Sequence, residues 1–205
     1  MSGRAMLRLA VTVHQVVHPL AAHCPLTTWG GHAIQGTACE DCHVDPVIVV
    51  GGGISGMSCA RVIASAGLPV TVLDRGRGVG GRMAAPVLDG RPVDTGASYF
   101  TVSDDAFAAV VNDWEQRGLA HRWTDTFDVF DAGTPGERKR GNDRWAAGRG
   151  LRSLVEDLAR GLEIDRHTVE SVASTSEGGP PTVDGRPACA VVLAMPDPQA
   201  RLKLR

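Results

Sequence analysis

Val47-Ile48-Val49-Val50-Gly51-Gly52-Gly53-Ile54-Ser55-Gly56 is the stretch that decides the fold. Four β-branched residues make a short apolar strand that needs burial on both faces. A glycine loop follows, and then a helix-compatible segment from Met57 to Ala66. Gly51, Gly53 and Gly56 stand at the G-x-G-x-x-G spacing of a dinucleotide-binding βαβ unit. In that unit the first glycine permits the tight turn out of the strand. The second lets a pyrophosphate approach the backbone, and the third lets the helix pack closely. The helix N-terminus offers unbonded N–H groups and partial positive charge to the phosphates. In a chain with 25 glycines this spacing alone is a weak signal. The context strengthens it. A second strand, Val70-Thr71-Val72-Leu73-Asp74, ends in an acid 23 residues after Gly51, where a ribose 2′-hydroxyl is held.

Working outward, 205 residues can hold one good core, or one domain with an appendage. The net charge of −2 argues against nucleic acid as a partner. Its positive residues are nearly all arginine, with lysine only at Lys139 and Lys203. The run Glu137-Arg138-Lys139-Arg140 is read as a solvated loop. No apolar stretch is long enough to span a membrane. The run from Leu7 to Val17 is broken by His14 and Gln15 and makes a poor secretory signal. Five cysteines at no framework spacing argue against a disulfide scaffold. Together these features point to a cytoplasmic protein.

Residues 1–45 differ from the rest. They hold five of the seven histidines and three of the five cysteines, with no face to bury. They are read as a disordered N-terminal extension, and 46–205 as the folded, dinucleotide-binding domain. Beyond the β-α-β pattern, Pro86 to Val93 reads as a hairpin on the Asp89-Gly90 turn. Ser103 is expected to cap a helix from Asp104 to Arg117, with Phe107, Val110, Val111 and Trp114 on one face and Gly118 as its stop. Trp123 to Phe130 has strand character. Leu151, Leu154, Val155 and Leu158 mark a second amphipathic helix, ended by Gly161. Thr168 to Ala173 reads as a strand. Asp184-Gly185 is another turn, leading into the strand Cys189 to Ala194.

Five further motifs narrow the chemistry. Gly78-Val79-Gly80-Gly81-Arg82-Met83 combines a glycine loop with an arginine, a natural anion clamp. Asp94-Thr95-Gly96-Ala97-Ser98-Tyr99-Phe100-Thr101 follows. Then come Arg144-Trp145, Gly148-Arg149-Gly150-Leu151 and Leu193-Ala194-Met195-Pro196-Asp197-Pro198. In this order the motifs resemble renalases and bacterial renalase-like oxidoreductases, a branch of the flavin amine oxidase superfamily. The resemblance covers Val47 to about Ala200. It implies an α/β fold: a Rossmann-like FAD-binding domain with part of an inserted, β-rich substrate domain. It also implies roles. Gly51, Gly53, Ile54, Ser55 and Gly56 face the pyrophosphate, Asp74 holds the adenosine ribose, and Arg75 is a further cofactor-binding residue. Gly81, Arg82 and Met83 cover the phosphate and ribityl region. Ser98 and Tyr99 reach the flavin, and the Val169 backbone meets adenine. Phe100 is assigned to core packing and Asp94 to orienting loop backbone.

The implied reaction takes a hydride from a dihydronicotinamide- or amine-type substrate to flavin N5, with reoxidation by O₂. No side chain stands out as an obligatory acid or base. The resemblance also implies a final glycine-acid loop and helix after Pro196, so the C-terminal part is read as incomplete. Two other readings stay open. One is another amine oxidase or desaturase branch; the other is a catalytically silent nucleotide-binding fragment. Cys39-Glu40-Asp41-Cys42-His43 has the c-type haem attachment pattern, and with Cys24 it has ligands enough for zinc. Chance is the preferred reading, so no metal is expected. Cys59 is read as a small apolar helix residue.

Overall fold

A computed structural model describes residues 14–15, 45–131, 133–173 and 179–204. In chain order its elements are β1 (His14–Gln15), β2 (Val47–Val50), α1 (Ile54–Ser65), β3 (Val70–Asp74), β4 (Val87–Leu88), β5 (Arg91–Pro92), β6 (Phe100–Thr101), α2 (Asp105–Gln116), β7 (His121–Asp131), β8 (Thr134–Ala146), α3 (Arg152–Ala159), β9 (Glu163–Arg166), β10 (Val172–Ala173), β11 (Thr182–Val183), β12 (Arg186–Pro187), β13 (Ala190–Leu193) and α4 (Asp197–Arg201). They divide into two units, one within 12–77 and 161–205, the other within 78–160. The readings of residues 1–13 and 16–44, including disorder and the C-x-x-C-H pattern, lie outside the described residues.

The first unit is a Rossmann-like α/β layer. Its sheet runs β13-β2-β3-β9, all parallel, with β1 antiparallel on β13. Val47–Val50 is buried at every position, as a central parallel strand should be. The chain steps from β2 to β3 and on to β9, then returns to the other side of β2 as β13. Strand order therefore reverses at β2 and β13, and in open α/β sheets ligands bind at the carboxyl ends of strands at such a switch point. Helix α1 packs on β2 and β3 through Gly56, Met57 and Ala60; the two small residues bring it close and the Met57 side chain fills the interface. A three-stranded meander, β10-β11-β12, connects β9 to β13. Ile48, Val50, Leu73, Val169, Val183 and Val191 share one core with residues of that meander and α4.

The second unit is built on the sheet β6-β8-β7, the hairpin β4–β5, and helices α2 and α3. Phe100 pairs with Trp145 across β6 and β8, and the two rings stack. Phe107 and Trp114 of α2 pack on Phe100. Trp114 Nε1 donates to Asp157 Oδ2 at 3.2 Å, and Arg117 forks onto the same carboxylate at 2.8 and 2.6 Å. The Arg117 guanidinium holds Asp157 below the usual carboxylate range, so α2 and α3 are tied by a charged, satisfied pair.

Both expected Asp-Gly turns form, with φ of +49° and +78° at Asp89 and Gly90 and +47° and +80° at Asp184 and Gly185. Elsewhere the structure corrects the expectation. Glu137 to Arg140 is part of β8, not a loop, because Arg138 and Arg140 pair across the hairpin with Asp128 and Asp125. Helix α2 is capped by Asp104, whose Oδ1 accepts from Phe107 N at 2.9 Å, not by Ser103. Val111 and Trp114 are buried on its inner face, while Val110 is exposed. Only Val172–Ala173 of the expected 168–173 strand pairs. The neighbour of β3 is instead Glu163–Arg166.

Candidate functional site

The glycine loop lies at the carboxyl end of β2. Gly51 N donates to Leu73 O at 2.9 Å, and Ala194 N donates to Val50 O at 2.8 Å, so the ends of β2, β3 and β13 are joined here. Gly51 has φ +117°, and a Cβ there would lie 2.7 Å from Ala194 O. A Cβ on Gly56 would lie 1.9 Å from Gly51 O. The third glycine is therefore required by the loop folding back over the first turn of α1. Gly53 is different: a Cβ there would meet nothing within 4 Å. Gly53 is also the N-cap of α1, and no side chain caps that terminus. The amides of Ile54, Ser55 and Gly56 are the first of the helix, which have no intrahelical acceptor. Open space thus lies before a line of uncommitted donors, the arrangement that receives a phosphate.

Asp74 closes the other side of the loop. Its Oδ2 accepts from Gly52 N at 2.5 Å and its Oδ1 from Gly76 N at 2.7 Å. Each oxygen keeps a lone pair for a further donor such as a ribose hydroxyl. A Cβ on Gly52 would come within 2.9 Å of the Asp74 carboxyl carbon. Gly52 occupies a position the fingerprint leaves free, so its role was missed. The only signal was a third glycine in an already glycine-rich loop.

The backbone of the same unit continues past Asp74. His167 N donates to Asp74 O at 2.9 Å, which places 167–171 beside the acid. Val169 lies in this segment, its side chain buried in the core. The segment is fixed by Asp184 of the meander turn. Asp184 accepts from His167 Nε2 at 2.8 Å, Ser171 N at 2.7 Å, Ser171 Oγ at 3.1 Å and Glu170 N at 3.1 Å. Burial raises the Asp184 pKa, but the His167 and backbone hydrogen bonds outweigh it and bring it down to about 2. Neither His167 nor Asp184 belongs to a family motif, and each is recognisable only once β9 and the meander are placed.

The remaining motif residues lie in the second unit. Gly81, Arg82 and Met83 form one 3₁₀ turn, with Arg82 exposed and Met83 buried. The Arg82 carbonyl accepts from Ala97 N at 2.9 Å, and a Cβ on Gly96 would lie 2.1 Å from that oxygen. The Gly81-Arg82 and Asp94-to-Thr101 motifs are thus one packed structure. Asp94 Oδ1 accepts from Leu151 N at 2.8 Å and positions the start of α3, matching its expected backbone role. Arg152, which no motif pointed out, lies against Gly78 and Gly80, where any Cβ would meet it. Ser98 and Tyr99 are exposed, while Phe100 is half-buried and packs on Phe107, Trp114 and Trp145. A shallow cavity of about 290 Å³, lined by Val102, Val111, Arg122 and Trp145 among others, contains none of the expected cofactor residues. Among the described residues no cluster of His, Cys, Asp or Glu could hold a metal ion. None of their helices is long and apolar enough to cross a membrane.

Residues 49–114 match the NAD(P)-binding Rossmann-like domain. Over 66 residues the chain is 46% identical to hydroxyneurosporene desaturase of Rubrivivax gelatinosus, covering 31% of this chain and 13% of that one. Over 53 residues it is 49% identical to polyamine oxidase 4 of Oryza sativa subsp. japonica, covering 26% and 11%. The chain thus spans about a tenth of the length of these relatives. The fold is similar to that of the CLA-producing fatty acid isomerase from P. acnes, with a TM-score of 0.58 and 14% identity over 78% of this chain and 61% of that one.

Proposed function

We propose that this chain carries the ADP-binding part of an FAD-dependent, renalase-like oxidoreductase. The observation that carries the reading is the space before Gly53, between an uncapped helix N-terminus and the anchored Asp74 carboxylate. There Gly51, Gly53, Ile54, Ser55 and Gly56 receive the pyrophosphate. Asp74, with Arg75 beside it, takes the adenosine ribose, and the Val169 backbone receives adenine. Gly81, Arg82, Met83, Ser98 and Tyr99 serve the phosphate, ribityl and flavin portions. The dinucleotide is FAD, in keeping with relatives that are desaturases and polyamine oxidases.

When bound, the flavin supplies hydride acceptance and reoxidation by O₂ to hydrogen peroxide. The residues of this chain bind and orient it. The substrate is a small molecule of dihydronicotinamide or amine type, and the protein works in the cytoplasm. A second reading is a nucleotide-binding fragment without turnover.

The visible spectrum of the purified protein tests the first claim. Flavin bands that remain after gel filtration, or return on adding FAD, are expected. Their absence in a folded protein, with no change in melting temperature on adding FAD, would overturn it. Anaerobic bleaching by a dihydronicotinamide or a polyamine then separates oxidase from silent fragment.

A further inference from the structure

The sheet β6-β8-β7 has two unlike faces. Side chains alternate along a strand, so Arg144 points away from Trp145, and Tyr99, just before β6, packs with Trp123, Phe127 and Arg144. Phe100 and Trp145 face α2. On the other face Tyr99, Trp123 and Phe127 form a ring cluster, with centroids 6.1, 6.2 and 5.9 Å apart. The β7–β8 register slips between Arg122 and Thr124 and again between Thr124 and Thr126, and such bulges re-aim side chains. Trp123 stands in the first slip. It is 52% exposed and Tyr99 is 36% exposed.

Arg144 lies on this cluster, its guanidinium carbon 3.9 Å from the Phe127 centroid and 5.4 Å from that of Tyr99. The other arginines of the hairpin are paired: Arg122 with Asp143, Arg138 with Asp128, Arg140 with Asp125. Arg144 has no carboxylate partner among the described residues. Its terminal nitrogen reaches only Asn142 O, at 3.4 Å, and its buried Nε has no hydrogen-bond partner. A buried donor left unpaired is costly, and native structures rarely keep one without a use.

We propose that this face binds a flat, unsaturated ring bearing a carboxylate directly on it. The ring stacks on Trp123 and Tyr99. The carboxylate takes the terminal nitrogens of Arg144, whose one described hydrogen bond, to Asn142 O, is long at 3.4 Å. Arg144 lies within stacking distance of the rings, so the anion must be attached to the ring itself, not to a long tether. The proposal rests on the flavin reading only in treating this face as the substrate side; the binding does not require flavin.

Fluorine NMR titration of the full chain with 4-fluorobenzoate and 4-fluorobenzamide tests it. The acid is expected to bind at least tenfold more tightly than the amide, and cyclohexanecarboxylate should not displace it. Trp123→Leu should weaken the acid tenfold or more, while Trp123→Phe keeps a ring and keeps binding. Arg144→Gln should abolish the preference for acid over amide, and Arg144→Lys should restore part of it. Equal binding of acid and amide, or unchanged binding in folded Trp123→Leu, overturns the proposal. Flavin retention is followed in the same samples. Loss of flavin in the parent protein with ring binding intact would count against the flavin reading alone.

Discussion

Gly53 and Gly56 lie three residues apart, and an added methyl group has opposite consequences at the two. At Gly56 the new Cβ would sit 1.9 Å from a backbone oxygen, so Gly56→Ala forces the loop off the helix. Overpacking of this kind costs about 1–3 kcal/mol, and the melting temperature should fall by several degrees. At Gly53 the methyl enters open space on a backbone with φ −80°, which alanine adopts freely. Gly53→Ala should melt within about 0.5 kcal/mol of the parent yet retain at least tenfold less flavin. Melting curves read beside flavin absorbance check both. If Gly53→Ala keeps its flavin, the phosphate does not sit there. Asp184 gives a pH-dependent case. Its folded pKa, about 2, lies below the ordinary carboxylate value, so its stabilisation is present at neutral pH and is lost as pH falls from about 4 towards 2. Its side chain is one-fifth exposed, so solvent screening trims the contribution to the order of 1 kcal/mol. Asp184→Asn should destabilise by that amount at pH 7, with the gap closing below pH about 4 in urea melts. At this scale the fingerprint glycines and Asp74 were legible because their spacing encodes backbone geometry. Gly52, His167 and the anchoring role of Asp184 were not, since their partners lie in elements distant in sequence.

Elements were legible where burial imposed a period. Val47–Val50, α1, β13 and both Asp-Gly hairpins show their apolar patterns or turn residues plainly. Two strands were hidden because pairing, not burial, makes them. Glu163–Arg166 carries one apolar side chain and is a strand because it hydrogen-bonds along β3. β8 carries Glu137 to Arg140, which looks like a solvated run until Asp125 and Asp128 face it across the hairpin. The start of α2 was ambiguous for a different reason: Ser103 and Asp104 are both good caps, and sequence does not say which carboxyl or hydroxyl reaches the third amide. The geometry chooses Asp104. Asp104→Ala should cost about 1 kcal/mol, whereas Ser103→Ala should stay within about 0.5 kcal/mol. Circular dichroism melts compare the two, and a larger loss in Ser103→Ala would return the cap to the serine.

For the whole molecule, the division into two units has a thermodynamic consequence. The glycine loop, Asp74 and the Val169 segment all belong to the unit within 12–77 and 161–205. On the function proposed above, these groups receive pyrophosphate, ribose and adenine, the parts that FAD shares with ADP. A ligand that binds only the folded state stabilises it by RT ln(1 + [L]/Kd), about 2.7 kcal/mol at a hundredfold excess over Kd. ADP alone should therefore raise the melting temperature and compete with FAD. FMN, which has the ring and one phosphate but no adenosine, should do neither at equal concentration. Asp74→Asn removes the charge proposed to orient the ribose while keeping an acceptor for Gly52 N, so it should weaken ADP and FAD by the same factor. If FMN stabilised as well as FAD, or Asp74→Asn weakened FAD but not ADP, the energy would reside with the ring and not with this loop. Thermal shift measurements with the three nucleotides on both proteins distinguish these outcomes.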